Sequence, residues 1–398
     1  PDYLGRGTNE PMDAFSTLLF RNSGNDYSTT FFKDAMIQGL MSHTTQDFQA
    51  YRPVNVFLNG QYWGIYNIRE RLDEYFVSNH YGISPDEVLM YEIDAREDFY
   101  GQPIEDNEYL QLIELVKNND INDEEFFRYL ETQIDFENYI DNQIIYIYAA
   151  NGDWLTNNVK FWKKNNDDFN PDSAFGHDGR WRWMVIDMDM AFSNVDQNFI
   201  EAVTSSYVGA VLSNALLQNP EFRDQFIVRF SDHLNTSFLP SRVINEIDRH
   251  ESKLEPDMGY HIARWKTMQD SMDQWHANVN RLRQFALERP DFIREHIIEA
   301  FELNGTFNIT LRTNEAFGHV RINTIEILQD TPGVDDSSNW AGVYFKGLPL
   351  TLTAIPRPGY RFSHWDGANE GMILADSIIL YPDQDIQLLA VFEKDLGN

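Results

Sequence analysis

Residues 181–192 contain the feature that most limits what this chain can fold into. An apolar segment, Trp-Arg-Trp-Met-Val-Ile, is followed by Asp187 and Asp189, one residue apart. A short apolar run predicts a buried strand, and carboxylate oxygens are ligands that Mg²⁺ prefers. The pattern therefore predicts that Asp187, with Asp189 as a second candidate, holds a divalent cation against phosphate. A loop carboxylate or a calcium ligand is the simpler alternative for Asp187.

A second polar cluster precedes this segment. Asp153 is followed five residues later by Asn158, and the same spacing separates the acceptor-orienting Asp from a metal-binding Asn in protein kinases. The two clusters together predict metal-dependent phosphoryl transfer, in which Asp153 orients the acceptor hydroxyl. A turn residue after Gly152 is the simpler alternative for Asp153.

The composition limits the partners that this chain can have. The 398 residues carry a formal charge of −32 and include no cysteine. Nucleic acids and anionic lipids need a basic surface, and no apolar run reaches the roughly 18 residues of a membrane span. We therefore expect no nucleic-acid partner, no membrane span, no disulfide and no zinc–cysteine site. We also expect a monomer.

Hydrophobic periodicity predicts an α+β fold with two domains. Asn59-Gly60, between alternating apolar residues, predicts a hairpin with a type I′ turn. After Phe301 the sequence changes to alternating β-branched and aromatic residues, so we place the domains at 1–303 and 304–398, with a hinge at Asn304-Gly305.

Other predicted elements are a strand at 18–20, a helix from about Thr30, a helix near Glu70, helices over 105–150 with Asp135 as an N-cap, a loop over 163–180 and a helical lobe over 207–302.

Four motifs in one order resemble the CotH family, the spore-coat-protein-H-like atypical kinases. They are residues 18–26, 56–73, 151–158 and 183–189, and the helical segments up to about residue 300 are also similar. Residues 306–395 resemble a bacterial surface module of the InlB B-repeat type, with the pattern Leu-Thr-Ala-x-Pro-x-x-Gly-Tyr-x-Phe-x-x-Trp.

The resemblance implies an extracytoplasmic, ATP-dependent kinase that acts on protein Ser/Thr with Mg²⁺, or with Mn²⁺ or Ca²⁺. It implies a divergent protein-kinase-like core with a large helical lobe, followed by the small all-β module. Carried over residue by residue, it makes Asp153 the catalytic Asp. The further residues that it implies are Asn157 or Asn158 and Asp187 with Asp189 for the metal, and Arg21, Arg69 and Glu70 for the nucleotide.

Members of this family usually carry a segment before the Arg21 motif, including a Lys that binds phosphate. The sequence begins at Pro1, and its nearest cations are Arg6, Arg21 and Lys33. We therefore expect an upstream part of the kinase domain, and a signal segment, to be absent from these residues. Gly5 and Gly7 alone are too weak a pattern for a phosphate-binding loop.

Two other functions stay open on the sequence. Asp187-x-Asp189 after an apolar strand also resembles the nucleophile motif of haloacid-dehalogenase phosphatases, and a surface scaffold with a degenerate kinase fold is the non-enzymatic alternative. The sequence has no His-Glu-x-x-His, Gly-x-Ser-x-Gly or Walker A pattern, which argues against zinc hydrolases, serine hydrolases and P-loop enzymes. The acidic loop at 165–172 is a weak candidate for calcium binding.

Overall fold

The computed structural model describes residues 12, 14–94, 96, 99–166, 169–267, 271–367 and 373–396, with only the backbone of Asp106. The chain divides into two compact units, one within Pro1–Gln218 and Ile244–Arg289, the other within Asn219–Val243 and Pro290–Asn398. The fold is α+β, as predicted. Within the described ranges, no helix has both the length and the apolar character that a bilayer crossing requires.

The first sheet of the first unit is built around the predicted hairpin. Strands β1 (Leu18–Arg21), β2 (Tyr51–Leu58) and β3 (Gln61–Glu70) pair antiparallel in the order β1-β3-β2. Asn59 and Gly60 both have positive φ, 50° and 80°. This is the conformation that a type I′ turn needs, so the local sequence signal was sufficient here.

The second sheet carries the Asp187 segment and is shorter than predicted. It comprises β4 (Val88–Ile93), β5 (Val159–Lys164) and β6 (Arg182–Met184), again antiparallel. Strand β6 ends at Met184, because the Val185 N–H donates to the Asp47 carbonyl instead of continuing the ladder. The expectation of a strand that reaches Asp187 is therefore corrected, and β4 and β5 were not predicted.

Apart from a short helix at residues 199–203, which was not predicted, the helices of the described residues follow the predicted helical regions. In chain order they are α1 (Lys33–Gly39), α2 (Glu74–Tyr81), α3 (Glu108–Asn118), α4 (Glu124–Gln133), α5 (Phe136–Ala149), α6 (Phe199–Val203), α7 (Val211–Gln218), α8 (Pro220–Leu234), α9 (Pro240–Trp265) and α10 (Met272–Ala300). The Asp135 side chain caps α5, as predicted. The helix expected near Glu70 begins four residues later, since the Asp73 side chain accepts from the first amides of α2.

The second unit contains α8, the end of α10 and the all-β module. The module's strands are β7 (Thr306–Thr313), β8 (Gly318–Ile322), β9 (Ile325–Glu326), β10 (Asn339–Phe345), β11 (Leu350–Pro356), β12 (Tyr360–Asp366), β13 (Ser377–Leu380) and β14 (Ile386–Lys394). They form two four-stranded sheets, β10-β7-β14-β12 and β13-β11-β8-β9. A single apolar core, with Trp365 fully buried, lies between them.

Helix α8 belongs to the second unit because its C-terminal end is hydrogen-bonded to the β module. Buried Asp232 accepts from Asn323, Thr324 and the hydroxyl of Tyr344, and Asn235 exchanges two hydrogen bonds with the Val343 backbone. The unit boundaries therefore differ from the domain boundary that we predict at residue 303, and that boundary stays a prediction.

Candidate active site

The backbone at Asp187 turns sharply at the end of the β6 segment. Asp187 has φ 45°, a left-handed value that is uncommon for a residue other than glycine. Two side chains from α5 and the segment after it hold the turn. The Tyr146 hydroxyl donates to the Ile186 carbonyl at 2.7 Å, and the Asn151 amide donates to the Asp187 carbonyl at 3.0 Å. Sequence reasoning missed both of these positioning residues.

The loop that carries Asp153 lies directly beside this turn. The Asn158 side-chain amide donates to the Asp153 carboxylate at 3.2 Å, so the two predicted residues are in contact. The Tyr146 hydroxyl also lies 3.2 Å from the Asn158 carbonyl, which places one phenol between Asn158 and Ile186. The structure therefore brings the two carboxylate clusters together. Asn157 is half-buried in the same loop.

Arg21, at the end of β1, lies between the two aspartates of the Asp-x-Asp motif. Its Nη2 donates to Asp187 at 2.5 Å and to Asp189 at 3.1 Å. Burial alone would lower the pKa of Arg21, but the charges of Asp34, Asp187 and Asp189 outweigh it and raise that pKa. Arg21 is therefore a fixed positive charge in the site.

Asp189 differs from Asp187 in being enclosed. Its side chain is 3% exposed and also accepts from the backbone and side-chain amides of Asn25, at 2.7 and 3.2 Å. The Lys33 ammonium donates to the Asp189 carbonyl at 3.1 Å. Asp189 thus joins the β1 motif to the turn, and most of its acceptor capacity is used.

Asp34 is a buried residue of the site that sequence reasoning missed. Its carboxylate pairs with Arg69 at 2.6 Å and accepts the Met188 N–H at 2.8 Å, between the two aspartates of the motif. Burial raises its pKa, but the charges of Arg69 and Arg21 and these hydrogen bonds lower it to about 2. An acidic residue within the apolar run Phe-Phe-Lys-Asp-Ala-Met-Ile was the available signal.

Arg69 and Glu70 are both buried in the structure. Arg69 is 1% exposed and is bound to Asp34 and to the Gln49 carbonyl. Its contacts in the structure are thus with the protein, and a contact between Arg69 and a nucleotide stays a prediction. Glu70 pairs with His80 at 2.8 Å, while its Oε1 is buried without a hydrogen-bond partner in the described part of the chain. A contact between Glu70 and a nucleotide stays a prediction.

The surroundings of Asp187 disfavour its charged form, so a bound cation would stabilise the carboxylate. Burial raises its pKa to about 6, with Asp189 and Asp34 adding to the rise and Arg21 opposing it. Its side chain keeps 32% of its surface exposed. Perturbed carboxylates of this kind concentrate at functional sites.

The donor set around Asp187 fits Mg²⁺ that is shared with phosphate. Within the described ranges, no three His, Cys, Asp or Glu side chains form a metal cluster. Mg²⁺ does not need such a cage, because one or two protein oxygens suffice when phosphate and water supply the others. Asp187 Oδ2 and Asn158 Oδ1 have no hydrogen-bond partner in the described structure and could supply those oxygens.

A cavity of about 460 Å³ adjoins Asp189 through Lys33. Its wall includes Thr29, the stacked rings of Phe192 and Phe285, and Arg281 of α10. This volume lies in the range of small-molecule sites. The cavity therefore offers space that is lined by two cations, of which Lys33 contacts Asp189.

Three weaker candidates lie outside the described residues. They are Arg6, the Gly5/Gly7 pair, and the middle of the acidic loop at residues 167–168.

Two family models match this chain. The family model of the CotH kinase protein matches residues 4–293, and that of the divergent InlB B-repeat domain matches residues 335–396. A search of curated proteins found no match. Because the first match covers most of the chain and includes every candidate site residue, the chain belongs to the CotH kinase protein family and carries a divergent InlB B-repeat domain at its C-terminal end.

Proposed function

We propose that this protein is an extracytoplasmic kinase that transfers the γ-phosphoryl group of ATP to Ser or Thr hydroxyls of proteins, with Mg²⁺. The contact network around Tyr146 carries this proposal, because it places the Asp153 loop beside the Asp187 turn. Family membership supports the same reaction class, and the B-repeat domain, of a bacterial surface type, supports the location.

Each residue has a distinct role in the proposal. Asp153 orients the acceptor hydroxyl, and Asn158 fixes the Asp153 carboxylate through its amide. Asp187 and Asn158 hold the metal, which when bound neutralises phosphate charge. Phosphoryl transfer depends mainly on positioning and charge neutralisation. Asp153 and Asn158 would supply the positioning, and the bound metal would supply the neutralisation. Asp189 holds Arg21 and Asn25 in place, because its carboxylate accepts hydrogen bonds from both residues.

In this proposal two cations near the aspartates would face the phosphates. Arg21 is bound to Asp187, and Lys33 reaches the Asp189 carbonyl from the wall of the adjoining cavity. We infer that Lys33 contributes to phosphate binding from this position. A Lys33→Met variant should raise the KM for ATP more than it lowers kcat.

Labelling with γ-³²P-ATP tests the proposal. Wild type is expected to label itself or an added protein in Mg²⁺, and Asp153→Asn should lower the rate by at least about a hundredfold. Asp86→Asn, at a fully exposed carboxylate on the surface, is the matched control and should keep the wild-type rate. Absence of labelling by wild type, or equal rates for both variants, would contradict the proposal.

A non-catalytic scaffold is the alternative that one observation favours. Arg21 already pairs with both aspartates, so its charge offsets one of their two negative charges without a metal. Calorimetry separates the two functions, because a scaffold would show no Mg²⁺-dependent heat with a nonhydrolysable ATP analogue.

The phosphatase alternative is disfavoured by the surroundings of Asp189. In that chemistry the second Asp must exchange a proton, but here it accepts from Arg21 and from the Asn25 backbone. A carboxylate held by these donors is poorly placed to act as an acid.

A further inference from the structure

A second cavity of the first unit lies between β2 and α9 and has a basic rim. Its volume is about 630 Å³, within the range of small-molecule sites. Three cationic side chains line it, Arg52 from β2 and Arg249 and Lys253 from α9, against a single carboxylate, Glu246. In a chain of net charge −32 such a concentration of positive charge stands out.

The geometry of the rim leaves donors available for a ligand. Arg249 and Lys253 are four residues apart and therefore lie on one face of α9. Arg249 uses Nε and Nη2 on Glu246, at 2.8 and 2.5 Å. Arg52 is exposed and makes no ion pair or hydrogen bond through its side chain within the described ranges. The two guanidinium groups can thus address a ligand from opposite walls.

The floor of the cavity is a buried aromatic group that does not repel an anion. His250 is 2% exposed, stacks on Phe32 and packs against Tyr51. Burial lowers the pKa of His250 to about 3, and the charge of Arg249 adds to the effect. The floor is therefore neutral at physiological pH, and the charge of the cavity comes from its rim.

One wall of this cavity is hydrogen-bonded to the residues beneath the aspartates. Gln49 accepts from Arg69 at its carbonyl and donates from its N–H to Gln38, and both partners bind Asp34. The cavity thus lies behind the Asp34–Arg69 pair, and its lining does not include the Asp187 turn.

We propose that this cavity is a binding site for a compact polyvalent anion of the phosphate class, such as pyrophosphate or a small phosphate ester. Guanidinium groups match phosphate oxygens in pairs, and a lysine adds a point charge. The site is independent of the proposed kinase reaction, because none of its lining residues belongs to the candidate active site.

Calorimetric titration of the whole protein with inorganic pyrophosphate tests this site. EDTA is included so that no metal-dependent binding at the candidate active site contributes to the heat. Wild type should bind, and the Arg52→Gln/Arg249→Gln variant should bind at least about tenfold more weakly. The matched control is Lys117→Gln/Arg128→Gln, which removes two charges from exposed ion pairs on α3 and α4 and should bind as wild type does. Circular dichroism would verify that each variant is folded.

A third variant, Arg21→Gln, locates the anion. Binding that survives Arg21→Gln and is lost in the Arg52/Arg249 variant supports the cavity. No binding by wild type, equal binding by the Arg52/Arg249 variant, or loss of binding in Arg21→Gln alone would overturn the proposal.

Discussion

At the scale of single residues, Asp187 and Gly24 show how closely the site is packed. Asp187 combines a left-handed backbone with a raised pKa, and Gly24 lies against the neighbouring Asp189. The packing around Asp189 depends on contacts between residues more than 150 positions apart in the chain, such as Arg21 with Asp189. The sequence suggested which residues matter but could not show that Arg21 bridges the two aspartates.

The raised pKa of Asp187 predicts a pH-dependent stability difference. The folded state holds the Asp187 proton up to about pH 6, whereas the unfolded chain releases it near 3.8. The free energy of unfolding from this group therefore falls as pH rises from about 4 to about 6. Asparagine cannot lose a proton, so the Tm of Asp187→Asn minus the Tm of wild type should increase as pH rises over this range. Thermal melts in EDTA measure this difference.

The control for this experiment is Asp330→Asn at an exposed position. A Tm difference between Asp187→Asn and wild type that does not change with pH would contradict the predicted proton binding.

Replacing Gly24 by alanine should cause a steric clash with Asp189. Gly82 is the control, because alanine there changes only the backbone energy. A Cβ at Gly24 would lie 2.0 Å from Asp189 Oδ2, whereas one at Gly82 would meet nothing within 4 Å. Both glycines have positive φ, 56° and 71°, so both Ala variants carry a backbone cost of roughly 1 kcal/mol. Gly24→Ala should lose a further ~1–3 kcal/mol by overpacking, measured by urea unfolding. Equal losses would show that the close approach to Asp189 is absent.

At the scale of elements, the Asp34–Arg69 pair joins α1 to β3 beneath the aspartate turn. Because both charges are buried, removing one partner leaves the other uncompensated. Arg69→Met should cost roughly 3–5 kcal/mol in urea unfolding. Arg128→Met, in an exposed pair with Glu131, should cost less than about 1 kcal/mol. A similar small loss for both variants would mean that the buried pair does not stabilise the fold.

Elements with local signals were the ones that the sequence predicted well. Asn59-Gly60 predicted the hairpin, and Asp135 marked a helix start that the structure contains. The end of β6 was not predictable, because it depends on a hydrogen bond from Val185 to the distant Asp47 carbonyl. The start of α2 was misplaced because Glu70 completes β3, where pairing with Leu18 and burial beside His80 decide its place.

At the scale of the whole molecule, the second unit joins helix to β module through Asp232. The sequence indicated the module from its alternating pattern, but Asp232 gave no sign that α8 belongs with it. Asp232→Ala should destabilise the second unit by roughly 1.5–3 kcal/mol. The variant removes the charged acceptor of the hydrogen bonds from Asn323, Thr324 and Tyr344. Hydrogen exchange of 304–396 should show the loss. Unchanged protection there would contradict this assignment of α8.

The proposed kinase reaction requires that Asp187 and Asn158 hold one divalent ion beside Asp153. Crystals soaked with Mn²⁺ and a nonhydrolysable ATP analogue test it most directly, since anomalous scattering locates the ion. We expect a Mn²⁺ peak at about 2.1 Å from oxygens of Asp187 and Asn158, as for Mg²⁺-type coordination, with the analogue's phosphates on the same ion. A Mn²⁺ ion bound elsewhere, or nucleotide bound away from these two side chains, would contradict it.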